Sequence, residues 1–410
     1  MLSWSTVDTR DKPEAKNELS NALDAIKWGT DYLIKAHPQP NFLYGQVGDG
    51  GSDHSCWERP EDMDTSRLAY KIDEEIPGSD LAAETAAAFA AASVAFAPVD
   101  HDYAYNLQTQ VKQVLHLQLF AFARDYNGLY QQSITGAGEF YSSSGYQDEL
   151  VWASSWLHRA TSNKEYLDFL SNQNDDGGTR TMFLWDECAL VLEGKVKPAD
   201  DYNYGSAATW ADDMKTQAEQ FICNCLQKGD NNIKMTPGGL LWFKPWNNLQ
   251  YTNTAAFIAT IYSKYSGSHS SSIVCSSGVV QPSDLALHDH SENHASSYFL
   301  RLFLPVDYIL GSNPKNMSCM VGSGSNYPTQ VHHRGASIVS LKRDPTHVSC
   351  KAGYNLWFNK NSSDPNVLVG AIVGGPDQNY GYTDSRSNFQ VAEPTTVTTA
   401  PLFGVLARLA

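Results

Sequence analysis

Along the chain, apolar residues recur at helical spacing far more often than they alternate. From Lys16 to Ala36, the positions Leu19, Leu23, Ile26, Trp28, Tyr32 and Leu33 fall close to one stripe, a periodicity that predicts an amphipathic helix. Further helices are predicted over Leu81–Phe96, Tyr105–Ala123, Gln147–Thr161, Thr181–Leu192, Ala208–Gln227, Asn253–Tyr265 and Ser297–Leu310. Strand-like alternation is scarce. The breaks between helices are long and rich in Gly, Pro, Asp and Asn, such as PNFLYGQVGDGGSDHSCWERPEDMDT and TPGGLLWFKPWNNLQY. Long ordered loops of this kind commonly carry function. No Pro/Ser linker or compositional shift interrupts the rhythm, which predicts a single domain over residues 1–410. Its expected architecture is an antiparallel helical array or toroid whose long loops gather on one face as a cleft.

Composition narrows the partners. With 42% hydrophobic and 18% charged residues the chain reads as globular. Its 29 basic and 45 acidic side chains give a formal charge of −16 and a pI near 5.1. That balance argues against nucleic acid or an anionic membrane, because phosphate binding needs basic patches. Neutral ligands are favoured. The uncharged stretch from Thr85 to Val99 is mostly alanine and falls short of the ~20 apolar residues that cross a bilayer. The start, MLSWSTVDTRDK, lacks the pattern of a secretory signal, whereas two Asn-x-Ser sequons, at Asn316 and Asn361, suit a secreted protein. Seven scattered cysteines yield neither a full disulfide framework nor a paired zinc motif, so the redox compartment stays open. His290 and His294 have metal-ligand spacing if helical, but Ser291 and Asn293 are weak helix formers, and neither a metal site nor a cofactor is expected.

The aromatic inventory is 10 Trp, 21 Tyr and 16 Phe, and many of these rings stand beside polar, glycine-rich loops. Such faces stack on the C–H faces of sugars and nucleobases, although most rings in any protein fill the core. Three clusters concentrate reactive side chains. Residues 374–401 hold Asp377, Asp384 and Glu393 among Tyr380, Tyr382 and Phe389. Glu393 there precedes Pro394 and an apolar segment, and an apolar flank is what keeps a carboxylic acid protonated for general-acid work. Residues 327–337 set His332, His333 and Arg334 beside glycine, donors suited to sugar hydroxyls or to holding a carboxylate charged, while the adjacent His-His pair also suits a metal or a helix cap. Residues 53–62 join Asp53, His54, Trp57, Glu58 and Arg59, the chemistry of a polyhydroxylated-ligand site or of a solvated salt-bridge cluster.

Together these strings resemble the plant endo-β-1,4-glucanases of glycoside hydrolase family 9, over nearly the whole chain. Ser318, Met320, Val321, Gly324, Asn326, Val331, His332 and Arg334 fit that family's histidine signature, and Tyr382, Asp384, Phe389, Glu393 and Thr395 fit its second signature. CWERPEDMDT, PGSDLAAETAAA, YQDELVWASSWLHRAT and VDYILGSNP look like its plant members. The resemblance implies an all-α (α/α)6 barrel, a six-hairpin toroid, incomplete at its N-terminus. It also implies inverting hydrolysis of internal β-1,4-glucosidic bonds, with Glu393, Asp384 and His332 as catalytic residues and Glu393 the acid. Arg334, His54, Trp57, Arg59, Trp185, Trp242, Trp246 and Tyr382 would then contact the glucan.

Two departures stand out. The family's base motif, Asp-Ala-Gly-Asp, is not found, so the chain reads as opening after it, and Asp49–Asp53 is a look-alike in a loop expected to touch substrate. Thr399 occupies the place of an asparagine in the second signature. The alternative to an active endoglucanase is therefore a catalytically impaired glucan-binding remnant. A helical scaffold for protein partners has no feature in its favour. The expected partner is a β-1,4-glucan bound by a monomer, with no nucleic acid and no membrane, in a secreted setting such as the cell wall.

Overall fold

The computed structural model describes residues 1–112, 119–172, 182, 206–268, 271–281 and 305–410. The predicted helix over Thr181–Leu192, most of that over Ser297–Leu310, the histidines at 288, 290 and 294, and Trp185 lie outside the described residues. Two compact units divide the chain: residues 1–50, 67–221 and 410 form one, and residues 51–66 and 222–409 the other. No described helix is long and apolar enough to cross a membrane.

In the first unit the centre is the helix Ser79–Phe96, whose alanines are buried on almost every side. A helix apolar all round belongs inside a core. Its small side chains let the helices Gln147–Thr161, His101–Lys112, Leu119–Asp125 and Leu2–Asp8 pack around it. Trp4 anchors the last of these: it is buried, meets Trp152 and Trp156 edge-on at 5.7 and 6.0 Å, and donates its indole N–H to Asp8. The strands Phe42–Val47 and Ala69–Asp73 pair antiparallel with a bulge between Tyr44 and Gln46. There Gly45 lets the backbone lie on the central helix, because a Cβ would stand 2.6 Å from the Leu81 side chain.

The predicted N-terminal amphipathic helix forms over Leu19–Ala36, with a correction. Leu23 and Ile26 are buried, but Trp28 is 81% exposed and Tyr32 52%. At about 100° per residue, Trp28 projects roughly opposite Leu19, so the buried stripe runs through Ala22 and Thr30 instead.

In the second unit the helix Asn248–Ser268 packs against Thr396–Leu409 and Pro305–Ile309. Two disulfides, Cys56–Cys350 and Cys223–Cys275, close long chain loops that cysteine spacing did not reveal. The second joins the end of the helix Ser206–Cys225 to a small hairpin, Ile273–Cys275 with Gly278–Val280. The excursion 51–66 is held in this unit by Cys56 and by Arg59. This buried guanidinium pairs with Asp62 at 2.5 Å and donates to the carbonyls of Val339, Asp344 and Thr346 at 3.1, 2.8 and 2.6 Å.

Candidate active site

Glu393 stands at an elbow whose shape follows from sequence. The short helix Phe389–Ala392 ends at Glu393, which is extended (φ −81°, ψ 120°), and the helix Thr396–Leu409 follows. Pro394 is the local cause: proline disfavours the helical conformation in the residue before it. The Glu393 side chain is half-buried, and its Oε2 accepts the Trp246 indole N–H at 3.2 Å. Trp246 is 50% exposed and tilts against Phe389 at 5.0 Å.

His332 arrives from a separate loop. Its backbone N–H donates to the carbonyl of Ala392, the residue before Glu393, at 3.0 Å. Its imidazole Nδ1 lies 2.7 Å from the Arg386 carbonyl oxygen, an acceptor, so Nδ1 carries a proton and the ring is held with Nε2 turned away from that carbonyl. The ring meets Trp57 edge-on at 4.9 Å and Phe389 at 5.8 Å. The second imidazole of the pair acts on the backbone instead, since His333 Nδ1 accepts the Ala336 N–H at 3.1 Å and caps the helix Arg334–Ser337.

Asp384 fixes the approach to His332. Its Oδ2 accepts from the Thr329 N–H and hydroxyl, both at 2.9 Å, and its Oδ1 from the Gln330 N–H at 3.0 Å. With both oxygens so engaged it orders the loop. Asp364 and Arg386, which sequence reasoning does not single out, complete the frame. Asp364 accepts the Val331 N–H at 2.9 Å and pairs with Arg386 at 2.6 Å, and both side chains are almost fully buried. Burial pushes the Asp364 carboxyl up to about 6 against the pull of Arg386 and that N–H. Arg386 lies two residues after Asp384 and could have been noticed; nothing local marks Asp364.

Arg334 is steered by Asp53, which accepts at 2.8 Å through Oδ1 and at 2.6 Å through its carbonyl, and it lies 5.8 Å above the Trp57 ring. His54 is exposed on the same segment, its carbonyl accepting from Tyr354 at 3.3 Å. Three expected contact residues are differently placed. Trp57 is 4% exposed, donates its indole N–H to Ser337 at 3.0 Å and packs among Ile338, Val348 and Phe358, so it backs His332 and offers no open face. Arg59 spends its donors on the carbonyls and carboxylate described above. Tyr382 has a buried hydroxyl with no hydrogen-bond partner among the described residues, and burial raises its ionisation well above the ordinary phenol range. What sequence cannot display is depth.

Beside the acid elbow opens a cleft of about 310 Å³, lined by Trp242, Pro245, Asp377, Gln378, Asn388 and Gln390 among others. Amides, one indole and the Asp377 carboxylate, with no cation among the described lining residues, suit a hydroxylated ligand that carries no negative charge. Tyr380, at the unusual φ of 79°, closes a turn there in which Asp377 accepts from the N–H of Asn379 and of Gly381 at 2.8 and 2.7 Å. Its ring is seated over Gly238, where a Cβ would lie 2.4 Å away.

Comparison with known proteins adds three findings. Residues 1–406 match the family model of glycosyl hydrolase family 9. Endoglucanase 13 and Endoglucanase 15 of Arabidopsis thaliana are 55% and 54% identical, over 99% and 100% of this chain and 79% and 80% of theirs. Among solved structures, the endoglucanase of the termite Nasutitermes takasagoensis superposes with a TM-score of 0.77 at 36% identity, covering 100% of this chain and 82% of that one. The cellulase Cel9M of C. cellulolyticium in complex with cellobiose gives 0.75 at 26% identity, over 99% of this chain and 82% of that one.

Proposed function

Because the chain belongs to glycosyl hydrolase family 9, we propose that it cleaves internal β-1,4-glucosidic bonds of a cellulose-like glucan with Glu393 as proton donor. The fold class is that family's all-α (α/α)6 barrel, and endoglucanase activity is the family function at this level of likeness. Support for the finer reading comes chiefly from the half-buried carboxyl at the Pro394 elbow, flanked by an indole N–H and by the residue that receives the His332 backbone.

In this reading Glu393 gives its proton to the glycosidic oxygen as the C1–O bond breaks, and water attacks C1 from the opposite face. Inversion needs a second carboxylate roughly 6.5–9.5 Å away to activate that water. His332 Nε2 and the remaining donors of Arg334 bind sugar hydroxyls, Trp242 offers a stacking face in the cleft, and Asp384 holds the loop that carries His332. Two disulfides and the exposed Asn316 and Asn361 sequons support a secreted protein.

Hydrolysis of carboxymethyl-cellulose by the chain and by its Glu393→Gln variant tests this directly. The variant is expected to lose about 10²- to 10⁴-fold in rate while still binding cellotetraose. Equal rates would remove Glu393 from the role. One observation favours the second reading, a chain that binds glucan without cleaving it: Asp53, the second of the two acidic residues in the base look-alike, turns both carboxylate oxygens toward Arg334 at 2.8 and 3.3 Å. Cellotetraose binding with no product from either protein would select it.

A further inference from the structure

Trp246 and Asn247 are consecutive, and between them they grip the segment Gln390–Thr395 that carries Glu393 at three points. Trp246 donates to the Glu393 carboxyl, as described above. Asn247 holds the chain on both sides of it. Its backbone N–H donates to the Gln390 carbonyl at 2.8 Å, three residues before the acid. Its side-chain Nδ2 donates to Thr395 Oγ1 at 3.3 Å, two residues after. The Asn247 Oδ1 in turn accepts from the Thr398 hydroxyl at 3.3 Å, and the two threonine hydroxyls lie 2.7 Å apart, so the amide closes a small ring of hydrogen bonds.

The residue type fits this position. Asn247 is 2% exposed and adopts φ 51°, a left-handed conformation that asparagine tolerates better than other residues with a Cβ. Glycine would take the same backbone but bring no amide. The neighbouring strand of chain is fitted as closely: at Gly374 a Cβ would stand 2.7 Å from the Gln390 carbonyl oxygen and 3.0 Å from the Asn247 Cα. Asn248 anchors the dipeptide from behind, its Oδ1 accepting the Phe243 N–H and its Nδ2 donating to the Leu241 carbonyl, both at 2.8 Å. Thr399, which has no amide, only donates its hydroxyl to the Thr395 carbonyl at 3.3 Å.

We propose that Trp246–Asn247 is a positioning clamp for the acid: Asn247 fixes the elbow, and the Trp246 N–H claims Oε2, so that Oε1 carries the proton toward the leaving oxygen. A protonated carboxyl has one O–H donor, and an N–H approaching Oε2 selects the other oxygen to bear it. The clamp rests on the reading of Glu393 as proton donor, and the test separates the two.

Trp246→Phe, Asn247→Gly, Asn247→Asp and Glu393→Gln are compared with the parent chain on cellotetraose and on 2,4-dinitrophenyl β-cellobioside, whose leaving group departs without a proton. The Trp246 and Asn247 variants are expected to lose about 10- to 100-fold in kcat on cellotetraose and little on the activated substrate. Asn247→Asp keeps the backbone and loses the amide donor, so it decides the matter if Asn247→Gly fails to fold. Equal losses on both substrates would overturn the clamp. A Glu393→Gln loss that ignores the leaving group would overturn the acid assignment instead. Tryptophan fluorescence followed from pH 3 to 8 decides the clamp without turnover. A carboxyl-linked step in the parent chain, absent in both Trp246→Phe and Glu393→Gln, supports it. The same step surviving in Trp246→Phe overturns it.

Discussion

At the scale of single residues, the site is a contest between burial and pairing, and Asp364 is where it can be measured. An ordinary aspartate ionises near 3.8, whereas burial pushes Asp364 to about 6 despite Arg386. Between those values the folded protein keeps a proton that the unfolded chain has released, so this group's contribution to stability falls as pH rises from about 4 to about 6 and is flat outside that window. Urea unfolding of the parent and Asp364→Asn chains should show their difference in stability declining through that window, by at most ~1.4 kcal/mol per pH unit. A difference that grows with pH would mean that Arg386 outweighs burial. The same contest explains what was legible. Glu393, Asp384 and His332 announce themselves by residue type beside glycine, proline and aromatic neighbours. Trp57 and Arg59 carry equally suggestive chemistry but spend it inward, on Ser337 and on three carbonyls, and a string of letters does not distinguish the two fates.

Elements were easier to read than their faces. Gln147–Thr161 forms over the predicted span, because its boundaries are set by local periodicity. The stripe on Leu19–Ala36 was misread at Trp28 and Tyr32, since large rings weigh heavily in a hydrophobic pattern even when they point at solvent. Two glycines give opposite tests of element packing. Gly29 lies in that helix with nothing within 4 Å of a new Cβ, so Gly29→Ala should stabilise by about 0.5–1 kcal/mol through the unfolded chain's lost freedom. Gly353 ends the short helix Cys350–Gly353 against the Trp57 backbone, and a Cβ there would stand 1.4 Å from the Trp57 carbonyl oxygen. Gly353→Ala should cost about 3 kcal/mol, at the upper end of overpacking, because backbone and not a side-chain tip must yield. Thermal unfolding of the two variants checks both signs, and a neutral Gly353→Ala would mean that the Trp57 segment slides freely.

On the scale of the whole molecule, the residues that sequence separates most widely are those that build the site. Residues 51–66 belong with 222–409, and all of 67–221 lies between them in the chain. No local pattern announces that pairing; only the family likeness suggested that CWERPEDMDT and the histidine signature share a cleft. The covalent tie is Cys56–Cys350, spanning 294 residues, against 52 for Cys223–Cys275. In the chain-entropy account a cross-link restricts the unfolded ensemble in proportion to the logarithm of the loop it closes. The longer loop should therefore contribute about 1.5 kcal/mol more. Pairwise replacement by alanine tests this: Cys56→Ala with Cys350→Ala should lower stability beyond Cys223→Ala with Cys275→Ala, as read by denaturant midpoints. Local effects oppose the ranking, because Cys223 and Cys275 are buried and their loss also opens a cavity, whereas the other pair is more exposed. If the ranking reverses, packing around the Ile273–Cys275 hairpin governs the disulfide contribution, and the 51–66 excursion is held chiefly by the three carbonyls that accept from Arg59.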